Sequence, residues 1–165
     1  MTQIGSSKIR FFWIGSLVLV LGLVVIVWRI PRASVLNTIH PSMVSKPVYR
    51  GESGSTDQFY VEYHFDNSGI TEVDITGLDS MVLLNGSDYH SQQVSHMLAT
   101  VEPGSEAEII RVIQQSNAPI SFTEGQTWNI TLVTEISAES SILFFQYKDS
   151  ITEVNSYNWE VNLIE

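Results

Sequence analysis

The sequence predicts an all-β protein, an antiparallel two-sheet sandwich of seven or more strands, preceded by one N-terminal transmembrane α-helix. Three observations support this prediction. An uncharged apolar stretch lies near the N-terminus, and the hydrophobic period changes to two beyond Asp57. Turn residues then separate short apolar runs at roughly ten-residue spacing, as in two-sheet sandwiches. We therefore expect a β-domain anchored in a membrane.

The apolar stretch is Phe11–Trp28, which contains no charge and only Ser16 as a polar residue. At about 1.5 Å per residue it forms a helix of roughly 27 Å, close to the bilayer hydrocarbon thickness of about 30 Å. Trp13 and Trp28 lie where interfacial aromatic residues are found. Residues 1–10 are a short basic N-terminal segment, and residues 11–30 are the transmembrane helix. The arginines after Trp28 do not suit a cleavage site, so we expect an uncleaved signal anchor.

Residues 31–57 are predicted to be a flexible tether. They contain three prolines, scattered serines and the Gly/Ser-rich segment Gly51–Ser55. This composition is typical of extended or flexible linkers. A short interfacial turn at Val35, Leu36 and Ile39 is an open alternative. The tether leads to a β-sandwich domain over residues 58–165.

The sandwich begins with a strand at Phe59–Phe65, where apolar and polar residues alternate. This period of two indicates one buried and one wet face. Asp66–Gly69 then supplies turn chemistry. A helical turn is a fair rival only at Ile109–Gln115. The further candidate strands are Ile70–Ile75, Ser80–Leu84, Gln93–Val101, Ala107–Gln114, Pro119–Thr123, Thr127–Ile136, Ser141–Tyr147 and Tyr157–Leu163.

Charge divides the chain into two parts. Residues 1–50 hold six of the eight basic residues and no acid, whereas residues 51–165 hold all 18 acids against Arg111 and Lys148, a formal charge of −16. Such a domain repels nucleic acid, while the basic collar beside the helix can rest on lipid headgroups. Cysteine is absent, which excludes disulfides, thiolate metal sites and cysteine nucleophiles.

The orientation of the chain is inferred from the domain, because the positive-inside count across the helix is nearly tied. The acidic surface and two N-x-S/T sequons, at Asn85 and Asn129, favour an extracytoplasmic C-terminal domain at the cell membrane. Asn85 and Asn129 are therefore candidate glycosylation sites.

Histidines and loop oxygens are the candidate metal ligands. His90 and His96 are six residues apart and His64 lies in the same domain, but no H-x-H or H-E-x-x-H spacing is present, so surface histidines are favoured. Calcium ligands in the loops would be oxygens, yet the EF-hand pattern is missing and turns select such residues for backbone reasons. These loop residues are Asp66, Asn67, Asp79, Asn85 and Asp88. We predict no metal and no cofactor.

Catalysis is not predicted either. The chain has no G-x-S-x-G elbow, and no histidine and carboxylate are placed by spacing beside a serine. Glu106 and Glu108 share one face of a candidate strand, where exposed acids keep a sheet soluble.

Phe144 and Phe145 are the predicted interaction surface. Because they are adjacent in a candidate strand, they are expected to point to opposite faces. One of them is then exposed, or covered by a neighbouring strand or a partner.

The chain resembles immunoglobulin- and fibronectin-like sandwiches at Phe65–Ile75, Leu84-Asn85-Gly86 and Val101–Ser105, where a strand ends in an Asn-containing turn and a P-G-S/T turn follows later. It is also similar there to the LEA14-type (water-stress-hypersensitivity) domain, although no proline stands beside Asn67. In layout it resembles archaeal envelope sandwich proteins. The resemblance implies a β-sandwich with a non-catalytic binding or scaffolding role, and it transfers no functional residue.

The sequence thus predicts a single-pass envelope protein that contacts the bilayer through Phe11–Trp28. Its acidic sandwich is expected to bind or scaffold another protein or an envelope polymer, without catalysis. The alternative is a subunit of a membrane-anchored filament or stator-like assembly. Phe11–Trp28 contains no small-x-x-x-small pair, which weighs mildly against tight helix pairing.

Overall fold

The computed structural model of the chain describes residues 6–40, 48–50, 58–92, 97–114 and 122–161. Within them one helix precedes eight strands in two antiparallel sheets, which confirms the predicted fold class. The helix α1 spans Ser6–Thr38. The strands are β1 Val48–Arg50, β2 Gln58–Asp66, β3 Val73–Leu84, β4 Ser87–Gln92, β5 Ala99–Val101, β6 Glu106–Gln114, β7 Thr127–Ile142 and β8 Phe145–Glu160.

The two sheets face each other across one core. Sheet A has the order β1-β2-β6, and sheet B has the order β4-β3-β7-β8 with β5 paired to β3. In sheet A, β2 and β6 pair from Gln58↔Gln114 to Asp66↔Glu106. In sheet B, β7 and β8 pair along their whole lengths and form a hairpin that the Leu143-Phe144 turn closes.

The period of two places the core as expected. On β2, Phe59, Val61, Tyr63 and Phe65 are buried, while Glu62, His64 and Asp66 between them are exposed. Successive side chains of a strand point to opposite faces, so one face of each sheet becomes apolar and meets the other sheet. Sheet B contributes the buried residues Val73, Ile75, Leu78, Val82, Leu84, Ile130, Leu132, Ile136 and Ala138.

The helix is longer than predicted. It continues through Pro31 to Thr38, so the prediction of a tether is wrong for its first residues. A proline inside a helix costs about 3 kcal/mol, and burial of the next two turns offsets that cost. The buried residues are Pro31, Ser34, Val35, Thr38 and Ile39, whose spacing gives one packed stripe. The remaining tether residues 41–47 and 51–57 lie outside the described residues.

Several strands are also longer than predicted. β3 is continuous across the expected break between Ile75 and Ser80, with a register shift between Ile75 and Gly77. β7 and β8 have 16 residues each, because serine, threonine and asparagine continue the alternation after the apolar residues end. Ile109–Gln114 belongs to β6 and is not a helical turn. The predicted strand Pro119–Thr123 lies mostly outside the described residues.

The N-terminal part of α1 does not pack on the sandwich. Between Trp13 and Trp28 its large apolar side chains are exposed apart from the half-buried Val27. An 18-residue window of this helix has a mean hydropathy of 2.3, and none of it is buried. By length and composition the segment can cross a membrane. A signal sequence near the N-terminus has the same features.

Candidate functional site

The sandwich has two distinct ends. We call the end formed by residues 67–72, residues 102–105 and the Leu143-Phe144 turn the helix-proximal end, because α1 packs there. The strand register brings these segments together, since Asp74 lies opposite Glu139 and β2 ends opposite the start of β6. The distal end carries the Asn85-Gly86 turn and residues 122–126.

A buried hydroxyl cluster fastens α1 to the helix-proximal end. Thr71 donates a hydrogen bond from its hydroxyl (2.8 Å) and from its backbone N–H (3.3 Å) to Ser34 Oγ. The Ser140 hydroxyl lies 2.9 Å from Thr71 Oγ1 and also reaches the Glu72 carbonyl oxygen. Thr38 donates to the Ser34 carbonyl oxygen at 2.8 Å. Because Ser34, Thr71 and Ser140 are all buried, each hydroxyl has exchanged water for these partners.

Close backbone contact completes the helix junction. An added Cβ on Gly69 would lie 2.7 Å from the Ser34 Cα atom. Non-bonded carbon atoms do not approach each other this closely, so only glycine lets the loop lie this near the helix. The helix and the sandwich are therefore packed together as one unit at this junction.

Asn67 holds two loops of the helix-proximal end together, residues 67–72 and the loop that follows Val101. Its side chain is fully buried, and its Nδ2 donates to the carbonyl oxygens of Thr71 and Val101, both at 2.8 Å. Its Oδ1 accepts the Gly69 N–H at 2.9 Å. Its backbone N–H donates to the Ser105 carbonyl oxygen at 3.0 Å. Asn67 was predicted to be a turn residue and a weak calcium candidate, whereas the structure uses its amide as an internal connector.

An aromatic and cationic stack lies where α1 leaves the sandwich. The Arg32 guanidinium carbon is 5.9 Å from the ring centroid of Trp28 on its own helix and 5.9 Å from that of Tyr147 on β8. These distances suit cation–π attraction. Tyr147 donates to Asp149 Oδ2 at 2.7 Å, and this hydrogen bond raises the pKa of Tyr147. The stack joins the last exposed turns of the helix to the β7–β8 hairpin.

The predicted interaction pair lies at the tip of that hairpin. Phe144 is the second turn residue and is 97% exposed, and Leu143 beside it is 82% exposed. Phe145 is the first residue of β8 and is half-buried. The two phenylalanines are therefore not opposite faces of one strand, because the chain reverses between Ile142 and Phe145. Leu143 was not identified from the sequence, because only Phe144 and Phe145 were considered there.

The two sequons lie together at the distal end. Asn85 Oδ1 accepts the Asn129 backbone N–H at 2.9 Å, and both asparagines are exposed. Asn129 Nδ2 lies 3.4 Å from Asn158 Oδ1. Glycosylation at Asn85 and Asn129 stays a prediction, and it now concerns neighbouring positions far from α1.

The metal-ligand candidates are spread over the domain. His64 is exposed, 3.8 Å from Glu62, His90 lies on β4 opposite Val82, and His96 lies outside the described residues. The loop oxygens are divided as well, with Asp66 and Asn67 at the helix-proximal end and Asn85 and Asp88 at the distal end. Within the described ranges, no three His, Asp or Glu residues form a group that could hold a metal ion.

A second buried polar contact ties the two sheets together in the core. The Tyr63 hydroxyl on β2 lies 2.8 Å from Ser80 Oγ and 3.4 Å from Thr134 Oγ1 in sheet B. Burial raises the pKa of Tyr63. The phenol is therefore held neutral inside the sandwich.

Comparisons with known proteins add only a general similarity. No protein-family model matches the chain, and no curated protein matches it significantly. Similar solved structures include a protein from Archaeoglobus fulgidus, with 12% identity and a TM-score of 0.47 over 73% of this chain and 97% of that one. Another is a Northeast Structural Genomics Consortium target, with 9% identity and a TM-score of 0.44 over 73% of this chain and 89% of that one.

Proposed function

We propose that this chain is a single-pass, membrane-anchored envelope protein whose acidic β-sandwich binds or scaffolds another protein or an envelope polymer, without catalysis. One observation carries the proposal. The helix α1 runs without a break from an exposed apolar segment to a segment buried in the sandwich. The exposed apolar segment is stable only in an apolar environment such as a bilayer. The buried segment fixes the orientation of the sandwich relative to the helix.

The exposed segment of α1 supports an anchor. Burying a large aliphatic side chain is worth about 1.5–3 kcal/mol, and ten such residues between Trp13 and Trp28 are exposed in the described structure. A bilayer offers all of them an apolar environment at once. Arg29 and Arg32 follow directly and suit the headgroup level.

The packed junction supports a fixed display of the domain. Ser34 and Val35 are buried only a few residues after Trp28, so no flexible linker separates the anchor from the sandwich. The helix-proximal end then faces the membrane and the distal end points away from it. The distal end, with the sequons at Asn85 and Asn129, is then accessible from outside the membrane.

The finer family is part of this proposal. We place the sandwich with the immunoglobulin- and fibronectin-like domains, with a weaker similarity to the LEA14-type domain. The support is the two-sheet antiparallel architecture and the internal amide of Asn67 in the turn that carries the resemblance. The non-catalytic role rests on the same resemblance and on the sequence.

Protease treatment of intact cells tests the external orientation. A C-terminally tagged full chain is digested in intact cells and, as the matched control, in permeabilised cells. We expect loss of the tag signal in both, with the chain resistant to carbonate extraction before digestion. Full protection in intact cells together with digestion after permeabilisation would refute the external orientation. Carbonate extraction of the undigested chain would refute the anchor.

A subunit of a filament or stator-like assembly is the second candidate, and the edge strand β8 favours it. β8 is 16 residues long and pairs only with β7 among the described strands. Unpaired strand edges are sites for strand addition. Thr152 is exposed near the middle of β8, so a Thr152→Cys chain is expected to cross-link to itself in membranes. Gly86→Cys at the distal turn is the control, and equal yields at both positions would contradict pairing through β8.

A further inference from the structure

The hairpin tip combines high exposure with an unfavourable backbone. Leu143 has a φ of 55°, a region that side chains with a Cβ rarely adopt. Two-residue hairpin turns with a positive φ at the first central position normally place glycine or asparagine there. Leucine and phenylalanine are poor choices for such a turn and for contact with water.

The distal end of the sandwich has a hairpin turn with the usual residues. The β3–β4 turn is Asn85-Gly86, with φ values of 49° and 79°, the residue pair most typical of tight hairpins. Leu143 and Phe144 are 82% and 97% exposed, so no packing inside the described fold compensates for the poorer turn. A departure from local preference without gain in the fold points to a role outside it.

The location of the tip indicates which environment it meets. Ser140 lies at the level of Ser34, to which Thr71 connects it. From Ser140 the hairpin continues for three residues to Leu143, about 10 Å at the rise of a strand. The register of β3 with β7 ends at Asp74↔Glu139, so this length projects beyond the sheet. It projects from the end at which α1 becomes exposed.

Charge near the tip agrees with this location. Lys148, one of two basic residues in a part of the chain that holds 18 acids, is four residues from Phe144 and is exposed, with Glu139 at 3.7 Å. Arg32 contacts the Tyr147 ring beside it. Glu139 lies beside Lys148 and Asp149 beside Tyr147, so the charges near the tip are balanced, with basic side chains in position to reach lipid headgroups.

We propose that Leu143 and Phe144 insert into the interfacial layer of the bilayer that α1 spans, as a second lipid contact of the protein. This inference rests on the membrane anchor proposed above. A single helix leaves the domain free to lean toward or away from the membrane plane, and a second contact at the tip restricts that motion. The tip therefore favours orientations in which the hairpin side of the sandwich lies nearest the bilayer.

Site-directed fluorescence tests the lipid contact. Because the chain has no cysteine, Gln146→Cys gives a single labelling site two residues from the tip and exposed. The labelled full chain is reconstituted in vesicles of phosphatidylcholine and phosphatidylglycerol, and quenching by doxyl-labelled lipids is measured. The matched control is Gly86→Cys at the distal turn. We expect quenching at residue 146 to exceed that at residue 86 several-fold.

The decisive variant carries Leu143→Asn with Phe144→Gly, which copies the distal turn. It should fold at least as stably as the parent, yet lose most of the quenching at the labelled position. A Phe144→Ser chain, which keeps Leu143, serves as a second variant should the double replacement lower the urea midpoint. Unchanged quenching in the folded variant, or equal quenching at residues 146 and 86, would overturn the lipid contact.

The two proposals fail in distinguishable ways. A chain that resists carbonate extraction but shows no tip-dependent quenching keeps its anchor and refutes the inference. A chain that carbonate removes refutes the anchor and the inference together. A tip-dependent change of label emission without quenching by doxyl lipids would identify a protein contact, and this also refutes insertion into lipid.

Discussion

Replacing Asn67 tests whether one buried amide holds the helix-proximal end together. Its side chain makes three hydrogen bonds, to Thr71, Val101 and Gly69, at 2.8–2.9 Å. A net contribution of about 1 kcal/mol for each bond gives about 3 kcal/mol. The two buried carbonyl groups that lose their donor add roughly 1 kcal/mol or more. Asn67→Ala should therefore lower the free energy of unfolding by about 4 kcal/mol.

Asn67→Asp is the sharper variant because it preserves shape and changes only the donor. At neutral pH the introduced carboxylate would face the carbonyl oxygens of Thr71 and Val101, so its folded pKa should be raised above its unfolded value of about 3.9. The protonated form can still donate one hydrogen bond. The stability of this variant is thus greatest below the unfolded pKa and falls as the pH rises through the folded one.

Urea unfolding of the full chain in detergent measures both variants. Tryptophan fluorescence reports on the sandwich through Trp128 and Trp159, and midpoints are taken at neutral and acidic pH beside the parent chain. We expect Asn67→Asp to be the less stable variant at pH 7 and to approach or pass Asn67→Ala near pH 4. A loss below about 1 kcal/mol for Asn67→Ala would show that the amide is not a connector. Equal pH dependence of both variants would refute the proposed orientation of its donors.

Three further predictions concern the junction, the core and the turn. Gly69→Ala should lower the free energy of unfolding by about 1–3 kcal/mol because its methyl group overlaps the Ser34 backbone. Gly22→Ala is the control, because the space around Gly22 is open. Equal urea midpoints for the two variants would contradict the close approach. Tyr63→Phe should flatten stability above about pH 10, because a raised phenol pKa means stability that is complete below the unfolded value and lost as the pH rises; an unchanged alkaline unfolding curve would speak against it. Leu143→Gly should raise the free energy of unfolding by about 1 kcal/mol, since it relieves the positive φ. A lower urea midpoint would show that the leucine stabilises the fold.

Regular alternation made the fold predictable from the sequence. On β2, Phe59 to Phe65 fall on one face whatever their partners are, because the side-chain period of a strand is set by the backbone. Where the alternating residues became polar, as in β8, the pattern of hydrophobicity disappeared although the strand continued. The prediction therefore ended β7 too early, at Ile136, and divided β8 into parts of two strands, Ser141–Tyr147 and Tyr157–Leu163.

The helix junction was not predictable from local rules. Pro31 ordinarily marks the end of a helix, and Ser34 and Thr38 hide the apolar stripe that Val35 and Ile39 would otherwise reveal. The helix continues because the sandwich supplies partners for these residues, and those partners lie 30 or more residues away in the chain. The spacing of residues 31, 34, 35, 38 and 39 was the available signal.

The candidate sites show the same division. The sequence predicted that one of Phe144 and Phe145 would be exposed, and the structure shows that it is Phe144. The turn itself was missed because Leu-Phe lacks turn chemistry. Asn67 was recognised as a turn residue, while its burial depends on loops that meet only in the folded chain. Composition identifies residue types, and register decides which of them meet.

In the anchored arrangement proposed above, the unbroken junction between α1 and the sandwich makes the domain follow every tilt of the helix. Transmembrane helices tilt by about 20° on average, and β7 alone extends about 50 Å at the rise of a strand. With no hinge at Ser34 to absorb it, such a tilt moves the far end of the domain sideways by roughly 17 Å. Bilayer thickness, which contributes to the tilt of a spanning helix, would then change how far from the anchor the outer end lies.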